Sequence, residues 1–284
     1  MATLRIISLT AFAMIPLAAN SWLCRAALRD TTIDAASFTS IRLVSGALML
    51  WLLVWLSGKA RLGRGSWLSA LALFGYASLF SFAYLSLTAA TGALLLFGAV
   101  QVTMIGLGLR RGERLDGVQV GGVALAFCGL VGLLLPGLSA PPLGGALMMI
   151  GAGIAWGVYS VRGKGAGDPI RVTAGNFLLT VPITALLSAL MIGDVALDTV
   201  GLGYAAASGA LTSALGYALW YSVLPMLRAT SAATVQLSVP VIVAIGGVTL
   251  LGETITPRLV LASAAVLGGI ALVIMERNRI GAHR

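Results

Sequence analysis

Few polar side chains stand inside the apolar runs of this sequence, so those few define what chemistry it can do. Arg42 is the one residue charged at neutral pH that lies well within a run, about two helical turns from its start. A guanidinium can hold a carboxylate through two parallel hydrogen bonds. It can also snorkel to lipid headgroups or pair with Asp30 or Asp34, and at that depth the second outcome is the expected one. The acids Asp30, Asp34, Glu113, Asp116, Asp168, Asp194, Asp198, Glu253 and Glu276 all fall at run ends or between runs. Exchange of a cationic solute for protons needs a carboxylate inside the membrane, and none is offered. Glu113 and Glu253 are expected to cap helices or to pair with Arg114 and Arg258. The sole histidine, His283, is next to last, and Cys24 and Cys128 both sit in apolar runs. No histidine-dependent catalysis, disulfide framework or zinc site can be assembled from that set, and neither enzyme activity nor a metal or cofactor is expected.

Neutral polar and aromatic residues remain. Asn20, Tyr76, Tyr84, Phe97 and Gln101 in the first half, with Trp156, Tyr159, Tyr217, Gln236 and Ser238 in the second, are the candidates for lining a cavity. Aromatic walls would suit an apolar side chain, and amides and hydroxyls would suit polar ends, which together fit a small, net-neutral amphipathic solute. Pro16, Pro182 and Pro240 are expected to break their helices and free carbonyls that an ammonium could use. Each candidate has a plainer alternative: Trp22, Trp51, Trp55 and Trp67 as interfacial aromatics, Gln101 and Gln236 as interhelical hydrogen bonders, Tyr84 and Tyr217 as packing residues.

Positioning these residues falls to long apolar helices. The chain has 284 residues, of which 59% are hydrophobic and 10% charged, with a mean hydropathy of +1.01, a composition no water-soluble domain carries. A bilayer core about 30 Å thick needs roughly 20 apolar residues per helix. On that scale the chain divides into ten candidate spans: 9–28, 35–57, 67–87, 91–109, 117–136, 143–162, 172–193, 201–222, 230–251 and 257–275. Short connections predict antiparallel neighbours and no extramembrane domain. The first run leads straight into the next, which argues against a cleaved signal. Lys and Arg number 18 against 9 acids, a net charge of +9. They concentrate on one side: Arg5, Lys59, Arg61, Arg64, Arg110, Arg111, Arg114, Arg162, Lys164, Arg171, Arg228, Arg277, Arg279 and Arg284 against Arg25, Arg29 and Arg258. This places both termini in the cytoplasm of a bacterial-type inner membrane and makes nucleic acid an unneeded partner.

The sequence also repeats. Gly112-Glu113 and the run after it lie on Gly252-Glu253 and its run at an offset of 140, bringing Gly129 onto Gly269 and Gly106 onto Gly246. Upstream the offset is 134, pairing Met14 with Met148, Trp22 with Trp156 and Thr39 with Thr173. The difference falls in a longer link around Leu224–Arg228. Two five-span halves, 1–140 and 141–284, are predicted, and because five is odd the second is inverted, an arrangement suited to alternating access.

Two sets of five spans, each with an aromatic near the end of its first span and a Gly-Glu after its fourth, resemble the EamA-type members of the drug/metabolite transporter superfamily. Pro240 stands where that family often has proline; the first half has Gly98-Ala99-Val100-Gln101 there. The run Phe97–Met104 is similar to the YddG-like amino-acid exporters. The resemblance implies an all-α membrane transporter that exports amino acids, aromatic or apolar ones, with the lipid bilayer and a small solute as its partners and a monomer as a sufficient unit. Multidrug, nucleoside or sugar-phosphate transport within the superfamily is the alternative. An intramembrane acid would favour a cation, and further cavity basic residues a phosphate.

Overall fold

The computed structural model describes residues 2–58, 63–110, 112, 115–137, 140–163, 168–223 and 235–282. Glu113, Arg114, the link Leu224–Arg228, Ser231–Ala233 and several of the basic residues used for orientation, among them Lys59, Arg61, Arg111 and Lys164, lie outside them. The described chain is helical: α1 (Ala2–Asp30), α2 (Ala35–Leu56), α3 (Trp67–Tyr84), α4 (Ala89–Arg110), α5 (Gly117–Leu134), α6 (Leu143–Gly163), α7 (Pro169–Leu190), α8 (Thr199–Ala207), a π-helical segment (Ser208–Leu215), α9 (Gly216–Val223), α10 (Ser238–Leu251) and α11 (Pro257–Ala282), with one short 3₁₀ turn at Ile192–Asp194. Eight of these helices are long and apolar enough to cross a membrane. The eighth sequence run is covered by α8, the π segment and α9 in succession, and the ninth by the shorter α10.

Four of the acids sit at span ends because they start helices. Asp34, Asp116, Asp168 and Asp198 are the N-caps of α2, α5, α7 and α8, each accepting a backbone N–H three residues on. Such a cap satisfies an orphan donor and complements the positive helix end. At Asp116 the bond is reciprocated by Gln119, forming a capping box.

Small residues set how the helices pack. α6 lies between α3 and α4, α1 packs on the eighth span and on α10, α2 on α7, and α5 on α11. A Cβ at Gly122 would meet the Gly269 carbonyl within 2.5 Å, and Gly269 faces Gly122 and Ala126 in return. Here α5 and α11 touch backbone to backbone, the contact that small residues permit in lipid. Gly153 and Gly157 seat α6 on Leu96, Ala99 and Thr103 of α4 in the same way.

Two of the three prolines do not break their helices. α1 runs unbroken through Pro16 and α7 through Pro182, since each proline removes one backbone hydrogen bond from a helix of 29 and 22 residues and the rest remain. At Pro240 the expected break is present: the helical residues Val235 and Gln236 give way to a turn at Leu237 before α10 begins, since Pro240 has no N–H to offer the Gln236 carbonyl. A further helical irregularity lies at Ser208–Leu215. There Thr212 Oγ1 donates to the Ser208 carbonyl at 2.7 Å, the back-bonding that bends helices. Gly209 lets the segment close on the Arg42 carbonyl and Ser45 of α2.

Candidate functional site

A cavity lies at the middle of the bundle, where α1, α3, α4, α6, the eighth span and the start of the ninth meet. Its lining divides by chemistry: Asn20, Ser21, Tyr76, Thr212, Tyr217 and Gln236 offer polar atoms, while Leu17, Phe80, Leu96, Phe97 and Trp156 are apolar. The cavity leaves about 20 Å³ for the centre of a water molecule, room for one water. Trp156 fills much of the rest, its ring 4.8 Å from Tyr76 and 4.9 Å from Tyr217 between centroids.

The polar wall is hydrogen-bonded in one direction. Ser208 Oγ donates to Asn20 Oδ1 at 2.7 Å, and Thr212 Oγ1 lies 3.2 Å from the same oxygen. The Asn20 amide nitrogen in turn donates to the Tyr76 hydroxyl at 3.1 Å. Arg42 reaches that hydroxyl from behind with Nη2 at 3.2 Å, and its Nε donates to Ser213 Oγ at 3.2 Å.

Arg42 is therefore not where the sequence led us to expect it. It neither snorkels nor pairs with Asp30 or Asp34; it is 1% exposed. Asp30 is engaged by Arg29 and Asp34 by the α2 N-terminus. The guanidinium lies 5.2 Å from the Tyr76 ring centroid and 5.0 Å from that of Phe80, a pair of cation–π contacts on one side that replaces some of the lost hydration. It is not itself a lining residue.

Of the other sequence candidates, Asn20, Tyr76, Phe97, Trp156, Tyr217 and Gln236 come together at the cavity. Tyr84, Gln101 and Tyr159 are buried outside its lining. Tyr84 donates to the Ala89 carbonyl at 3.2 Å, Tyr159 stacks behind Trp156 at 5.6 Å, and Ser238 turns back to the Val235 carbonyl at 2.6 Å. Ser208, Thr212 and Ser213 were missed, although three hydroxyls within six residues of an apolar run were a signal in plain view.

Toward the face that carries the Asp34 loop, the cavity is closed by ties to α1. Arg25 Nε pairs with Glu253 Oε1 at 3.1 Å, Arg25 Nη1 donates to the Tyr84 carbonyl at 2.8 Å, and Glu253 Oε2 accepts the Ala89 N–H, at the start of α4, at 2.8 Å. Glu253 thus caps a helix as expected, but its cation is Arg25 rather than Arg258, because the α10–α11 turn faces α1. Trp22 packs on Gly246 and donates to the Val243 carbonyl at 3.0 Å, so it joins α1 to α10 rather than marking the lipid interface. Trp51, Trp55 and Trp67 are exposed near the opposite face. There Arg162 donates to Ser69 Oγ and Ser66 Oγ, both at 3.2 Å, and ties α6 to α3.

The Asp34 loop is itself pinned. Asp34 Oδ2 accepts the Ala196 N–H at 3.0 Å, and the Asp34 N–H donates to the Ala196 carbonyl at 3.1 Å. Partial burial pushes the Asp34 carboxyl upward, but hydrogen bonds from Ser37 and Ala196 outweigh it and hold the group below the ordinary carboxylate range.

Residues 143–275 match the model of the EamA-like transporter family. The chain is 58% identical over 274 residues, 96% of each chain, to an uncharacterized protein of Pseudomonas aeruginosa. It is 32% identical over 169 residues, 56% of each chain, to the threonine/homoserine exporter RhtA of Escherichia coli. One crystal structure at 19% identity superimposes with a TM-score of 0.68, covering 97% of this chain and 99% of its own, and shares the fold.

Proposed function

The chain belongs to the EamA-like transporter family of the drug/metabolite transporter superfamily, and from that premise we propose that it exports a small zwitterionic metabolite, an amino acid, across the bacterial inner membrane by alternating access. The observation that carries this reading is the mid-bundle cavity with one hydroxyl- and amide-rich wall facing one aromatic wall. A zwitterion with an apolar side chain matches both. None of the described acids is in the cavity lining, which disfavours a cationic drug. The one neighbouring guanidinium is fewer basic groups than a phosphate ester would call for. The relative named a threonine/homoserine exporter supports the same class of solute.

Alternating access further requires two halves that exchange roles. The packing is consistent with residues 1–140 and 141–284 as inverted repeats: the α3–α6 contact is mirrored by the eighth span on α1, and α4–α6 by α10 on α1. Gly129 against Val266 is mirrored by Gly269 against Ala126. In this arrangement Arg25–Glu253 closes the outer side and both termini are cytoplasmic. Counterflow in proteoliposomes with labelled threonine, homoserine and phenylalanine, alongside a nucleoside, a sugar phosphate and a lipophilic cation, tests the reading. Saturable uptake of an amino acid is expected. Uptake confined to the other solutes would refute it.

A further inference from the structure

Around Arg42 the hydrogens outnumber the acceptors. Asn20 Oδ1 accepts from Ser208 Oγ, and its Nδ2 donates to the Tyr76 hydroxyl. The Tyr76 oxygen therefore receives two donors, Asn20 Nδ2 and Arg42 Nη2. A phenol oxygen has room for two and one hydrogen of its own to give, so that hydrogen must point away from both. Tyr76 lines the cavity. The Tyr217 hydroxyl, also in the lining, interacts with Tyr76 and feels the charge of Arg42, yet among the described residues it has no hydrogen-bond partner within 3.5 Å. Arg42 Nη1 is buried and unpartnered as well. Two phenols thus stand in the lining with donor capacity to spare and an unpartnered guanidinium nitrogen behind them, and the oxygen of Tyr217 is the acceptor left among them. A buried group in that condition is costly unless something completes it.

Resting on the reading of the chain as an amino-acid carrier, we infer that the substrate carboxylate binds the hydroxyls of Tyr76 and Tyr217, with Arg42 as a positioning residue behind them. Arg42 keeps its distance from the solute. It occupies a lone pair of Tyr76, turns the phenol hydrogen into the cavity and polarises that O–H, while its uncompensated charge makes an acceptor-only anion the preferred occupant. A guanidinium gripping the carboxylate directly through two bonds would hold it strongly. A phenol between them passes on part of that attraction and lets the solute leave. A primary amide would set its own N–H groups against these donors and be rejected.

Two measurements on the full-length protein separate this site from the amino-acid reading. In counterflow, unlabelled L-phenylalanine and L-threonine are compared with their amides as competitors. In detergent, thermal unfolding is followed with 3-phenylpropionate against 3-phenylpropionamide. The wild type is expected to prefer each acid over its amide at least tenfold and to be stabilised by the carboxylate alone. Tyr76→Phe and Tyr217→Phe, which keep the rings, should each remove most of that preference. Arg42→Gln should remove it too, and Arg42→Lys, which can still donate to Tyr76, should restore a large part. If the acid-over-amide ratio survives in both Phe variants, the site is wrong even though amino acids are carried. If no amino acid is carried but the stabilisation by 3-phenylpropionate depends on Tyr76, the carboxylate site stands and the amino-acid reading falls. Absence of both signals overturns both.

Discussion

Trp156 touches both phenols of the polar wall and has only 7% of its surface exposed. Replacing it by Ala would open a hole costing about 3–5 kcal/mol, which would confuse loss of fold with loss of function. Trp156→Phe keeps a ring in place. We expect it to unfold within a few degrees of the wild type but to carry solute several-fold more slowly, as read from initial counterflow rates; an unchanged rate would make Trp156 a packing residue. At this scale the sequence showed which residues were unusual and not which way they faced. Arg42 was conspicuous as a charge in an apolar run, yet its burial depends on Ser213 and Tyr76, 171 and 34 residues away. No local pattern reports such partners.

Helix placement was far more legible, because roughly 20 apolar residues in a row leave the backbone no option but to bond within itself. The same apolarity hid the inward faces: a helix greasy on all sides has no polar stripe to show its orientation. The π segment was hidden for a related reason: its wider turn is a shift of backbone bonding from i−4 to i−5, and the Ser and Thr residues that accompany it also occur in regular helices. Two predictions belong here. Glu253→Gln weakens the tie among α1, α4 and the α10–α11 turn, so a cysteine placed at Ser21, with Cys24 and Cys128 replaced by serine, should react faster with a membrane-impermeant maleimide added outside; an unaltered rate would show that the ion pair does not restrain opening. Asp34→Ala removes the α2 cap and should cost about 1 kcal/mol at neutral pH. Because the folded carboxyl sits below its unfolded value of about 3.9, its contribution is complete above that pH and is lost as pH falls through the folded value. Thermal unfolding between pH 3 and 7 should therefore converge for wild type and Asp34→Ala at the acid end. A constant gap would refute the assignment.

For the molecule as a whole, α5 and α11 stand apart from the cavity and meet through Gly122, Ala126 and Gly269. A side chain at Gly269 would collide with the Gly122 carbonyl, so Gly269→Val should destabilise the detergent-purified protein by about 1–3 kcal/mol, while a Val at Gly268, where nothing lies within 4 Å, should not; equal effects would exclude the backbone contact as a support. The cavity bears on the membrane's energy balance as well. Moving protons along water requires an unbroken file of molecules, and among the described residues the cavity leaves room for one, with the Arg25–Glu253 pair between α1 and the α10–α11 turn. A carrier resting in this state is therefore expected to leak few protons, which a pH-sensitive dye trapped in proteoliposomes would read.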